Sequence, residues 1–184
     1  MAQRATSQEL DSTAHALVRL TGRLARHCDR AEHNEQVSRE VILEAAKQLR
    51  HLATDLARTL ELDLRVAYAL RLQAIEARHP LGGFGQIDIL EAVQTSKTWV
   101  DLQRAQILHD LTYHPDVVGL AKFEQLRHYT IHLAKLCGYA QEALEEEGEA
   151  LTEFVSLRIA DILSFGIKLS TVVGETLQDN DIEF

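Results

Sequence analysis

The chain has 184 residues, of which 46% are apolar and 26% charged, and its formal charge is −9. That length supports one sizeable core, and that balance belongs to a folded globular chain rather than a disordered one. The negative charge argues against general nucleic-acid binding, which draws its affinity from neutralised phosphates. No apolar run approaches the ~20 residues that span a bilayer.

Helical periodicity dominates from the start. The N-terminal stretch MAQRATSQELDST has no apolar h-region, so no secretory signal is expected. Leu10, Ala14, Leu17, Thr21, Leu24 and Cys28 recur every three or four residues and predict a first amphipathic helix. Ile42, Ala45, Leu49, Leu52, Leu56 and Leu60 repeat the pattern after a cap expected at Ser38. A third helix is expected from about Asp63 to Arg78, centred on Val66, Leu70 and Ala74. It stops before His79-Pro80, because a residue preceding proline disfavours the helical region.

The stretch from Gly82 to Gly85 (GGFG) lacks the GxxxxGK[ST] spacing and a preceding strand, so it reads as an inter-helix turn. Asp88 and Glu91 have capping-box spacing and open a fourth helix, expected to run through Trp99 and Leu108 to His114-Pro115. Asp116 is expected to cap the fifth, whose stripe is Leu126, Thr130, Leu133, Cys137, Ala140 and Leu144. The last helix carries Val155, Ile159, Ile162, Gly166, Leu169 and Val173. These elements predict an all-α bundle of about six amphipathic helices, in a single domain over 1–184.

Acidity gathers at Glu145, Glu146, Glu147, Glu149 and Glu153 and again at Asp179, Asp181 and Glu183, as in a solvated loop and tail. Cys28 and Cys137 are far apart, sit on core stripes and form no CxxC pair, so reduced thiols in the cytoplasm are expected. Trp99 and Phe123 read as core anchors.

Two segments, HLAKLCGYAQEAL from His132 and RIADILSFGIKL from Arg158, resemble the paired helices of the MazG-like all-α nucleotide pyrophosphohydrolases. Leu133, Gly138, Glu142 and Ala143 fall at the Leu, Gly, final Glu and Ala of that family's LxEExGELxEA pattern. Asp161 takes the Asp of its later ExxD, and Lys168 a downstream basic position. The resemblance covers 117–174, leaving 1–80 without it. It implies nucleotide binding, Mg²⁺ held by carboxylates, and assembly as a homo-oligomer.

The chain departs from the pattern where the chemistry lies. The carboxylates of EExxE fall on Lys135, Leu136 and Tyr139, and the Glu of ExxD falls on Arg158. Mg²⁺ takes hard oxygen ligands, which these side chains do not supply. Asp161 and Glu142 are what the resemblance leaves as metal ligands. Glu145, Glu146 and Glu149 also spell EExxE, but they lie too close to Arg158 for a helix end, a turn and a new helix.

At 100° per residue, Arg158, Asp161, Phe165 and Lys168 share about one quadrant of the last helix. Glu124, His128, His132, Lys135 and Tyr139 cluster opposite the apolar stripe of the fifth. Lys135, Tyr139, Arg158, Asp161 and Lys168 therefore form a candidate ligand site, in which cations grip phosphate oxygens without a metal. The alternative is that Asp161 pairs with Arg158 or Lys168 at a helix edge.

A second candidate is metal chemistry on histidine. Glu124, His128 and His132 stand at helical spacing, and His109, Asp110, His114 and Asp116 lie just upstream. His109-Asp110 is similar to the dipeptide of HD-type metal phosphohydrolases. Three functions remain open on the sequence: binding of a nucleotide or other phosphorylated ligand with lost or altered hydrolysis, a helical homo-oligomer or partner-binding module, and a histidine-based metal hydrolase.

Overall fold

Helix starts are set by short polar side chains that satisfy the free N–H groups of a first turn. In the computed structural model, which describes residues 7–33, 36–78, 89–145 and 149–178, Val41 N–H donates to Ser38 Oγ at 3.3 Å. That bond opens α2 (Arg39–Thr59) where the sequence places it. Before it runs α1 (Ser7–Glu32), and after it Asp63 Oδ1 accepts from the N–H groups of Arg65 and Val66 to start α3 (Leu64–Arg78). The glycine stretch 82–85, the capping residue Asp88 and the acidic tail from Asp179 lie outside the described residues.

The expected fourth helix is two. α4 (Ile89–Gln94) ends where Thr95 Oγ1 and Ser96 Oγ turn back onto the carbonyls of Glu91 and Ala92, competing with the helix for its own backbone. Thr98 then caps α5 (Trp99–Tyr113), accepting from Asp101 N–H at 3.1 Å. Asp116 does not cap the next long helix. It lies inside a single turn, α6 (Pro115–Val118), and α7 (Lys122–Glu145) starts where Ala121 N–H donates to Glu124 Oε2 at 3.1 Å. With α8 (Glu149–Val172) the described residues form eight helices and no strand, two more helices than expected because α4 and α6 are short.

α1 packs on α7 and α2 on α8, while α3 and α5 lie against α8. The core is one cluster drawn from these helices, with Leu24, Leu49, Leu133 and Leu163 wholly buried. Each such burial contributes ~1.5–3 kcal/mol. Trp99 is buried as an anchor and Phe123 packs against the cluster. Gly166 allows α8 to approach α2: a Cβ there would stand 2.7 Å from Arg50 Cγ and 3.0 Å from the Ala46 carbonyl.

Both helix ends that turn sharply use the left-handed region. Gly174 (φ 73°) ends α8, and Glu61 (φ 53°), with Leu62 N–H on the Ala57 carbonyl, ends α2. Cys28 and Cys137 are free thiols beside Thr130 and Thr21, and burial raises the pKa of both. No helix among the described residues is long and apolar enough to cross a membrane.

Candidate functional site

Where α3, α5, α7 and α8 converge, their polar faces enclose a cavity of about 220 Å³. Helical spacing puts them there. Arg71, Ile75 and Arg78 are one turn apart on α3; His128, His132 and Lys135 follow one another on α7; Arg158, Asp161, Phe165 and Lys168 do so on α8. Among the described residues, five permanent cations line this cleft (Arg71, Arg78, Lys135, Arg158 and Lys168) against two carboxylates, Asp110 and Asp161. The surplus is positive in a chain whose formal charge is −9.

Both carboxylates are engaged. Asp161 is 7% exposed and accepts from Arg71 Nε at 2.6 Å and from Arg158 Nη1 at 3.1 Å. Asp110 Oδ1 accepts from Lys168 Nζ at 2.8 Å and from Gln106 Nε2 at 2.9 Å. Gln106 Oε1 in turn accepts from Ser164 Oγ at 2.9 Å and from the buried Tyr68 hydroxyl. This network ties α3, α5 and α8 beneath the cleft and holds Lys168 in place. Burial pushes the Asp110 carboxyl up, but the neighbouring His109 ring and Lys168 ammonium outweigh it and hold the group below its ordinary range.

Three histidines complete the wall. Burial first, and nearby positive groups second, lower the pKa values of His114, His128 and His132, that of His132 to about 4. Near neutrality all three are uncharged and able to accept a proton or a metal. The rings of His128 and His132 are 4.5 Å apart. Tyr129 lies with its ring 5.6 Å from Lys168 Nζ, and burial raises its hydroxyl pKa.

The cleft brings together four of the five expected ligand residues: Lys135, Arg158, Asp161 and Lys168. Tyr139 stands beside them, its ring 4.7 Å beneath the Arg158 guanidinium. Asp161, a candidate metal ligand in the sequence, is held by two guanidinium groups, and Glu142 is exposed on α7. Glu124 caps its own helix, whereas His128 and His132 face the cavity. Sequence reasoning missed Arg71 and Arg78, along with the support from Tyr68, Gln106 and Ser164. Arg71 and Arg78, two turns apart on one face of α3, were the available signal for the first pair.

Comparison of the chain with protein families, curated proteins and solved structures finds no match.

Proposed function

We propose that the cleft binds the phosphate groups of a small anionic ligand, a nucleotide by preference, and that the protein is a divergent MazG-like chain in which cations replace bound Mg²⁺. The observation that carries this reading is the excess of permanent cations around one concave site. Lys135 and Arg158 stand, on the resemblance, where the family carries carboxylates, and both line the cleft. A family carboxylate reaches phosphate through Mg²⁺; an ammonium or guanidinium reaches it directly, and Arg does so through paired N–H donors. Hydrolysis of the family type is lost or altered with the ligand set.

Calorimetric titration of the full chain with pyrophosphate and nucleoside triphosphates, in the presence of a chelator, tests the proposal. Binding without Mg²⁺, weakened about tenfold or more in Lys135→Ala and Arg158→Ala, is expected. Absence of binding, or binding that needs Mg²⁺, contradicts it. Phosphate release measured in the same samples reads any surviving turnover.

A homo-oligomer is the second reading. Val66 and Leu70 are 41% and 55% exposed, and with Leu62, Ala67 and Ala74 they line an apolar hollow of about 430 Å³ on α3. Sedimentation across a range of concentrations tests it, a constant monomer mass being the opposing result. The free thiols Cys28 and Cys137 fit the reducing cytoplasm.

A further inference from the structure

His109 lies on α5 directly behind the cleft. It is wholly buried, and neither ring nitrogen has a hydrogen-bond partner among the described residues. Buried polar groups are normally paired, so an imidazole with two free nitrogens at this depth calls for a partner. Its ring stacks on Tyr113 at 4.9 Å, which fixes its orientation without satisfying either nitrogen. Asp110 Oδ1 lies 3.6 Å from Nδ1, beyond hydrogen-bond length.

His114, one turn and a bend further on, completes a group. One ligand atom each from His109, Asp110 and His114 lie within 4.8 Å of one another, and this is the group of His, Cys, Asp or Glu side chains among the described residues that could share an ion. We infer that His109, Asp110 and His114 form a binding site for one divalent transition-metal ion of the zinc or ferrous-iron class, set in the wall of the phosphate cleft. Two imidazoles and one carboxylate are the donor set such ions take, and the nitrogen content disfavours Mg²⁺ and Ca²⁺.

The surroundings accommodate the charge. Lys168 and Gln106 both bond Asp110 through Oδ1, the oxygen that lies 3.6 Å from His109 Nδ1, so an ion here shares the carboxylate with these two donors. Hydrogen bonding to a ligating carboxylate is a normal feature of metal sites. His114 lines the cleft, so an ion held there has one side open to a ligand.

The test is a titration of tag-free full-length protein, freed of metal, with Co²⁺ in phosphate-free buffer. It is followed by visible absorption and by competition with Zn²⁺. One saturable equivalent of Co²⁺, displaced by Zn²⁺ and weakened more than about 10-fold in both His114→Ala and Asp110→Asn, is expected. His109 is a core residue whose replacement can unfold the chain. His114→Ala, at a half-buried position, therefore carries the test, with far-ultraviolet dichroism as the check on folding. No Co²⁺ binding overturns the inference. So does binding that survives His114→Ala but is lost in His128→Ala, which would move the ion to α7. Neither outcome depends on whether pyrophosphate binds.

Discussion

Arg71 Nε lies 2.6 Å from Asp161 Oδ1, joining α3 to α8 at the floor of the cleft. The same carboxylate takes Arg158 through its other oxygen. Asp161 thus holds two guanidinium groups in place rather than standing free for Mg²⁺. Asp161→Asn is expected to lower unfolding free energy by about 1–3 kcal/mol, below the range for a fully buried pair because both arginines retain some exposure. Urea denaturation measures this. Pyrophosphate affinity in the same variant is expected to be maintained or raised, because one negative charge leaves the site. Loss of binding would instead mark Asp161 as a metal ligand.

Lys168 neutralises Asp110 at 2.8 Å and faces the cavity as well. Lys168→Met leaves a buried carboxylate without its charge partner, so stability is expected to fall by about 2–4 kcal/mol. Denaturant midpoints compared with those of Lys168→Arg separate the loss of charge from the loss of shape. If Met and Arg variants are equally stable, the ion pair has no part in holding the cleft.

Acid destabilises the fold through the cleft histidines. The folded state holds the His132 pKa at about 4, against 6.5 for the unperturbed group. Below 6.5 the unfolded chain takes up a proton that the folded chain resists, so stability falls as pH drops from 6.5 and the loss is complete below about 4. His114 and His128, also lowered, act in the same direction. His132→Gln is expected to flatten the slope of stability against pH in this window. An unchanged slope would mean that His132 titrates normally.

Two changes test the packing independently of the site. Gly166→Ala forces a methyl group against Arg50 and the Ala46 carbonyl and is expected to cost about 1–3 kcal/mol. Glu61→Gly removes a side chain from the left-handed region at the end of α2 and is expected to stabilise by about 0.5–1 kcal/mol. Thermal unfolding of the two variants reads both signs.

Much of the fold was legible because period and caps agree. Ser38 and the stripe from Ile42 to Leu60 define α2, and all but Leu52 of that stripe are buried. The break between α4 and α5 was read through for want of a Gly or Pro, although Thr95-Ser96-Lys97-Thr98 is polar throughout, its hydroxyls bond back to the helix and Thr98 caps α5. The cleft was half legible. Spacing within α7 and α8 placed Lys135, Arg158, Asp161 and Lys168 on the right faces. Arg71 of α3 reaches Asp161 across 90 positions of chain, a tertiary pairing that no local pattern encodes.

The most direct measurement is a histidine NMR titration against pH, with resonances assigned through single substitutions, in the absence and presence of pyrophosphate. A phosphate group seated among Lys135, Arg158 and Lys168 lies beside His128 and His132 and is expected to raise their pKa values from the depressed ones of the free protein. Resonances of His128 and His132 that ignore pyrophosphate at saturating concentration would contradict the assignment of this cleft as a phosphate site.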